Sequence, residues 1–228
     1  MKNIAKSLVV AGALALTGVA SAMIDDLNPY LGLDYKHSWS HKRVQMTGSD
    51  QDVLAKTFPG GSVYLGSRFH ENFGVELGYD FSKKKEQTFR MPALSGINAA
   101  GDVKSKLAFS GARFDLNAYL PLDNCFELVG SLGLGWVKPR LSFENVSLTQ
   151  AGFNSLGFNQ VSTKHKVVAR LGAGAQYMVN DNIGLRGLVR WENTSKLRVS
   201  NDNVQWEDDE KKLFSDTTSV NLGVFYKF

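Results

Sequence analysis

Residues 73–81 read Phe73-Gly74-Val75-Glu76-Leu77-Gly78-Tyr79-Asp80-Phe81, and the order of residue types in that stretch decides the fold class. Phe73, Val75, Leu77, Tyr79 and Phe81 share one side of an extended chain, and Gly74, Glu76, Gly78 and Asp80 share the other. A helix, turning roughly 100° per residue, would mix the two sets around its circumference. The stretch is therefore a strand with one apolar face and one face of glycine and charge.

The same period of two recurs on both sides of it, over 30–39, 62–69, 112–120, 126–137, 167–179, 183–192 and 218–228, which predicts eight strands. Leu107 and Phe109 carry apolar side chains at the parity opposite to Phe114 and Leu116, and a bulge near Ser110-Gly111 accommodates them. The connections alternate in length. Short turn-forming segments lie at 70–72, 121–124 and 180–182, and long ones at roughly 40–58, 82–103, 138–164 and 194–216. Short turns at one end, long loops at the other and an even strand number are the pattern of an antiparallel, up-and-down transmembrane β-barrel with periplasmic turns and four long extracellular loops. A compact soluble domain rarely carries four such loops.

The charged face fixes which side is the interior. It holds Asp34, Glu76, Asp80, Asp115, Glu127 and Glu192 with Lys36, Arg68, Arg113, Arg170, Arg186, Arg190 and Lys227. An Arg turned into hydrocarbon near the bilayer midplane costs roughly 2 to 4 kcal/mol, so this face points inward and the apolar face meets lipid. A soluble lipocalin-like cup would have the reverse polarity. Aromatic placement agrees: Phe69, Phe73, Phe126, Tyr177 and Phe228 mark the short-turn rim, and Trp39, Trp136 and Trp191 the long-loop rim. Phe126 and Trp136 are about 33 Å apart along a strand, or about 24 Å along the axis of a barrel tilted near 45°, which suits an apolar band about 25 Å tall.

The chain has 228 residues, 26 Lys plus Arg against 22 Asp plus Glu, 43% hydrophobic residues and one cysteine. Such a composition excludes a disordered chain, a disulfide scaffold and a multi-cysteine zinc module. Cys125 reads as a buried or membrane-facing thiol. Residues 1–22 combine Lys2 and Lys6, an apolar run from Leu8 to Leu16 and the small residues Ala20-Ser21-Ala22, the three-part pattern of a cleaved secretory signal. The apolar run is about half of the roughly 18 to 20 residues an uncleaved helical anchor needs. The expected organisation is a signal peptide over 1–22 and a barrel over 23–228. Without the two leader lysines the charge is nearly balanced, which leaves no argument for a nucleic-acid partner. His37, His41, His70 and His165 lack the spacing of a metal site, and no pattern calls for a cofactor.

Several stretches resemble the OmpA-like barrels of Gram-negative outer membranes: Gly74 to Asp80, the turn from Tyr119-Leu120-Pro121 to Asp123-Asn124, Gly172 to Tyr177, Arg186 to Trp191, and Ser219 to Phe228. The resemblance spans nearly the whole mature chain. It implies an outer-membrane location and an interior ladder of acids and bases in which Glu76 and Arg186 match the central pair. The family's other two ladder positions fall on Asn117 and Gln176. Tyr226 and Phe228 look like the signal read by the barrel-assembly machinery. The family's C-terminal peptidoglycan-binding domain has no counterpart in this sequence.

The expected function follows from these features. An interior charge is costly unless paired, and Arg pairs with carboxylate in bidentate fashion, so the lumen reads as a self-neutralising plug. The alternative is a low-conductance porin gated by Glu76 and Arg186. A lipid A-modifying enzyme is a third reading; the rim segment Trp191-Glu192-Asn193-Thr194-Ser195 lacks the His such a site requires, so the expectation is non-enzymatic. Surface roles would lie in the long loops and outer-membrane lipid. Lys83, Lys84, Lys85 and Arg90 are candidates for lipopolysaccharide phosphates. Gly152-Phe153-Asn154 and Gly157-Phe158-Asn159 are candidates for an adhesive tip toward a host or extracellular ligand. The acidic run is Glu207 to Glu210.

Overall fold

The alternation of Phe73 to Phe81 is realised as antiparallel pairing on both edges: Leu77 stands opposite Leu65 on one neighbour and opposite Phe114 on the other. The structure, a computed structural model, describes residues 28–41, 54–91, 101–147, 162–163, 165–194, 199–200 and 216–228. Its strands are β1 (Asn28–Ser40), β2 (Thr57–His70), β3 (Phe73–Ser82), β4 (Lys85–Met91), β5 (Gly101–Pro121), β6 (Phe126–Asn145), β7 (Ser162–Thr163), β8 (Lys166–Met178), β9 (Ile183–Glu192), β10 (Val199–Ser200) and β11 (Thr217–Lys227). Pairing runs β3-β2-β1-β11-β9-β8-β6-β5 and returns from β5 to β3, so the sheet closes into a ring, with β4 attached to β5 and a separate β7–β10 ribbon. Each of the eight expected strands falls on a member of that ring. The first and last strands complete it, from Tyr30 opposite Lys227 to Ser40 opposite Thr217. No helix among the described residues is long and apolar enough to cross a membrane.

Polarity is inverted relative to a soluble protein. Leu33, Leu77, Leu116, Leu132, Leu134, Leu171, Val189 and Leu222 are exposed on the outer wall, while Asp34, Glu76, Arg113, Asp115, Arg170, Arg186, Arg190 and Glu192 are buried inside. Trp39, Trp136 and Trp191 are exposed at the long-loop rim, and Phe69, Phe73, Tyr177 and Phe228 at the other.

The short turns are closed by side-chain acceptors. Asp123 Oδ1 accepts the backbone N–H groups of Cys125 (2.8 Å) and Phe126 (2.7 Å), and Asn180 Oδ1 accepts those of Asn182 (3.0 Å) and Ile183 (2.8 Å). Both are Asx turns, which is why Asp and Asn stand there. Cys125 is exposed within the first of them, correcting the expectation of a buried or membrane-facing thiol.

Two further expectations are corrected. The segments 82–103 and 138–164 are not wholly loop, because β4 pairs with the first part of β5, and β5 with β6 as far as Val103 opposite Asn145. The pairing also runs unbroken through Ser110 and Gly111, opposite Lys138 and Val137, so no bulge lies there. Leu107 keeps the inward parity of Arg113 and is buried, because the interior changes from charged to apolar toward the long-loop end, where Phe58, Phe89 and Val103 are also buried. The irregularity sits across the pair instead: Ser82, Lys83 and Lys84 bridge β3 and β4 opposite Ala108 and Phe109 of β5. The Ser82 hydroxyl accepts the Phe109 N–H at 2.8 Å there, in place of a backbone carbonyl.

Candidate functional site in the barrel lumen

The inward positions of the ring stack into three tiers. Glu76, fully buried on β3, centres the middle one. It accepts hydrogen bonds from the Tyr30 hydroxyl (3.0 Å), from Arg113 Nη1 (3.2 Å) and from Arg186, and Arg190 lies 4.0 Å away. Asp115, on β5 opposite Glu76, pairs with Arg113 and lies 3.6 Å from Arg190 and 3.8 Å from Arg170. Arg186 reaches Asp34 at 3.3 Å. The strands position these groups as their alternation requires, since every second residue of β3, β5 and β9 points inward.

Toward the long-loop end, Asp80 meets Lys36 (3.0 Å), Arg113 Nε (3.1 Å) and Arg170 (3.1 Å), while Glu192 meets Lys36 (2.8 Å) and Arg170 (3.3 Å). Arg113 thereby ties the two tiers together. Toward the short-turn end, Arg68 forms a two-point pair with Glu127, which also accepts from the Gln176 amide. Thus Asp34, Glu76, Asp80, Arg113, Asp115, Arg170, Arg186, Arg190 and Glu192 come together in one connected network, and Arg68 with Glu127 forms a separate pair at the inner mouth. The acceptors are shared among fixed cations, an arrangement suited to holding the wall rather than to proton transfer or nucleophilic attack.

Aromatic side chains that no charge pattern announces complete the packing. Tyr64 lies under Arg186 (4.0 Å from guanidinium carbon to ring centre) and near Arg113 (5.2 Å), and Tyr119 under Arg68 (3.9 Å). The Tyr30 and Tyr119 hydroxyls are 2.8 Å apart. Glycine makes room for these rings: a Cβ at Gly32 would collide with the Tyr64 ring, and one at Gly66 with the Tyr30 ring. The signal was available in the sequence, since Tyr30 shares its parity with Asp34 and Lys36, and Tyr64 with Arg68.

A cavity of about 50 Å³ lies above the network, with Lys36, Asp80, Arg170, Phe58 and Phe109 in its lining, and one of about 130 Å³ lies below, with Arg68, Tyr119, Glu127, Gln176 and Phe225. No residue lines both; the Glu76 tier separates them.

The remaining candidates are dispersed. His37 and His41 stand at the long-loop end, against Trp39 and Thr218 respectively, while His70 accepts the Asn72 N–H at the other end. Lys83, Lys84 and Lys85 are exposed at the β3–β4 junction, and Arg90 stands at the far end of β4 opposite Asp102. Tyr226 and Phe228 are exposed at the short-turn rim with their rings 5.2 Å apart. Residues 1–22, Ser195, the two Gly-Phe-Asn triplets of 152–159 and the 207–210 acidic run lie outside the described residues.

Comparison with solved structures places this ring among small outer-membrane barrels. OprG of Pseudomonas aeruginosa superposes with a TM-score of 0.53 at 13% identity, over 88% of this chain and 96% of that one. Neisserial surface protein A gives 0.48 at 12% identity, over 90% and 98%. Ail of Yersinia pestis, solved in complex with the heparin analogue sucrose octasulfate, gives 0.45 at 17% identity, over 89% and 97%. A comparison with curated proteins found no match. At 13% identity the likeness to OprG shows the fold alone. The family model described as outer membrane protein beta-barrel domain matches residues 8–228, nearly the whole sequence, and the chain belongs to that family.

Proposed function

We propose that this chain is a non-enzymatic outer-membrane protein, exported with removal of residues 1–22, that contributes to membrane structure and makes its contacts at its outer surface while its lumen stays shut. The observation that carries the reading is the tier at Glu76: three guanidinium groups and a tyrosine converge on one fully buried carboxylate, between two cavities that share no lining residue. An eight-stranded interior is about filled by its own side chains, and here those side chains neutralise one another. Tyr226 and Phe228 serve barrel assembly in this reading.

The test is single-channel recording of the refolded mature protein in a planar bilayer, beside Glu76→Ala and Arg186→Ala. Silence in all three is expected. Discrete openings that either substitution enlarges would replace the plug with a gated, low-conductance pore. Loss of lipid A acyl chains on co-expression would overturn the non-enzymatic reading, and an intact N-terminus on the membrane-inserted protein would overturn cleavage after Ala22.

A further inference from the structure

The geometry points to a phosphate-binding saddle on the outer wall of the barrel, at the outer-leaflet interface, that takes the phosphorylated sugar headgroup of lipopolysaccharide. One side is Lys138 and Arg140 on β6, the other Lys83 and Lys84 at the β3–β4 junction, and the floor is Ala108 and Ser110 of β5. Pairing brings them together from distant sequence: Lys138 stands opposite Ser110 and Arg140 opposite Ala108, while Phe81 stands opposite Ser110 and Lys85 opposite Leu107. Lys83 and Lys84 thus fall between these two pairs, level with Ala108 from the far side. With strands about 4.8 Å apart, the two basic rows are about 10 Å apart, within reach of long side chains closing on one phosphate group.

Depth selects the ligand. Lys138 and Arg140 continue the outward face of β6 directly above Trp136, which is 61% exposed to the lipid side, and Phe81 lies 50% exposed just below Lys83. Four residues beyond Trp136, Arg140 stands about 9 Å further along the barrel axis, which is headgroup depth rather than loop-tip height. A soluble polyanion would have no reason to bind beside exposed lipid-facing aromatics; a lipid-anchored phosphate is held there.

The charges are also available. Among the described residues, Lys83, Lys84, Lys138 and Arg140 have no ion-pair partner, whereas the adjacent Lys104 and Lys106 are bound to Glu86 (3.5 and 3.1 Å) and Lys106 also to Glu144 (2.6 Å). The saddle revises the basic set of the sequence reading. Lys83 and Lys84 stay, Lys85 leaves because it stands opposite the inward Leu107, Arg90 is remote at the other end of β4, and Lys138 and Arg140 enter from another strand. It rests on the outer-membrane reading with the long loops outward.

The test compares binding of purified lipopolysaccharide, and of the same material stripped of phosphate, to the refolded barrel in phosphocholine micelles. Lys138→Gln with Arg140→Gln should weaken binding of intact lipopolysaccharide about tenfold or more. Lys104→Gln with Lys106→Gln should bind like the unaltered protein, and stripped lipopolysaccharide should bind the unaltered protein no better than intact material binds the first variant. Lys83→Gln with Lys84→Gln, at the strand junction, gives the same readout should the β6 pair fail to refold. Equal binding by all proteins, or of both lipids, would overturn the saddle. Fractionation of the protein away from the outer membrane in cells would overturn the placement instead, and the two failures are read independently.

Discussion

Glu76 shows how one residue type can be correct at a position where no soluble core would keep it. Its carboxylate accepts from Tyr30, Arg113 and Arg186, so removing its charge strands guanidinium groups away from water. Glu76→Gln is expected to lower unfolding stability in lipid vesicles by about 3 to 5 kcal/mol, read from denaturant titration of the heat-modifiable band. Gly66→Ala acts by volume alone: its methyl group displaces the Tyr30 ring, and overpacking of that kind costs about 1 to 3 kcal/mol by the same assay. Which side of each strand faces inward was legible from alternation, and so were the charged residues there. The identity of each ion-pair partner was not. Arg113 meets Glu76, Asp80 and Asp115 because strands tilt and stagger around a closed ring, and that stagger is set by pairings between distant segments.

At the scale of an element, the β5–β6 hairpin explains why the loop lengths were overestimated. Beyond Trp136 its outward face turns from apolar to charged, which breaks the alternation a lipid-facing strand displays, yet the backbone ladder continues to Asn145. Outside the membrane this extension is cross-linked by Glu86, Lys106 and Glu144. The hydrogen bond from Lys106 holds the Glu86 carboxyl below its ordinary value, and hydrogen bonds to Glu144 and then Glu86 hold the Lys106 ammonium above its own. The Glu86 contribution is complete above the ordinary carboxylate range and is lost as pH falls through its lowered value. The Lys106 contribution is complete below the ordinary lysine range and is lost as pH rises through its raised value. Protection of the amides of Val103 to Lys106, each rate taken against its intrinsic value at that pH, should therefore be greatest across the neutral range and fall on both sides, and added salt should flatten the difference because the groups are solvent-accessible. A flat pH profile would deny the cross-link any part in ordering the extension.

For the whole molecule, redundancy in the lumen decides how it responds to damage. With Arg186 gone, Glu76 still has Arg113 at 3.2 Å and Arg190 at 4.0 Å, so the single substitution leaves the partition between the cavities in place. Removing Arg186 and Arg190 together should admit ions, and conductance in the double variant against silence in either single one would show it. The adhesive reading of the segment between β6 and β7 predicts that excision of residues 148–161 abolishes cell or matrix binding while the barrel still inserts; unchanged binding would sink that reading. Closure through β1 and β11 has a consequence in time. The partner of Tyr30 is Lys227, so β1 keeps one edge bare until β11, the last strand of the ring, reaches it. During that interval its bare edge can template pairing with other chains, and a molecule interrupted before β11 keeps the bare edges of β1 and β9 permanently. On refolding, a chain truncated after β9 should therefore aggregate more readily than one truncated after β3, because it carries more strand with no ring to close.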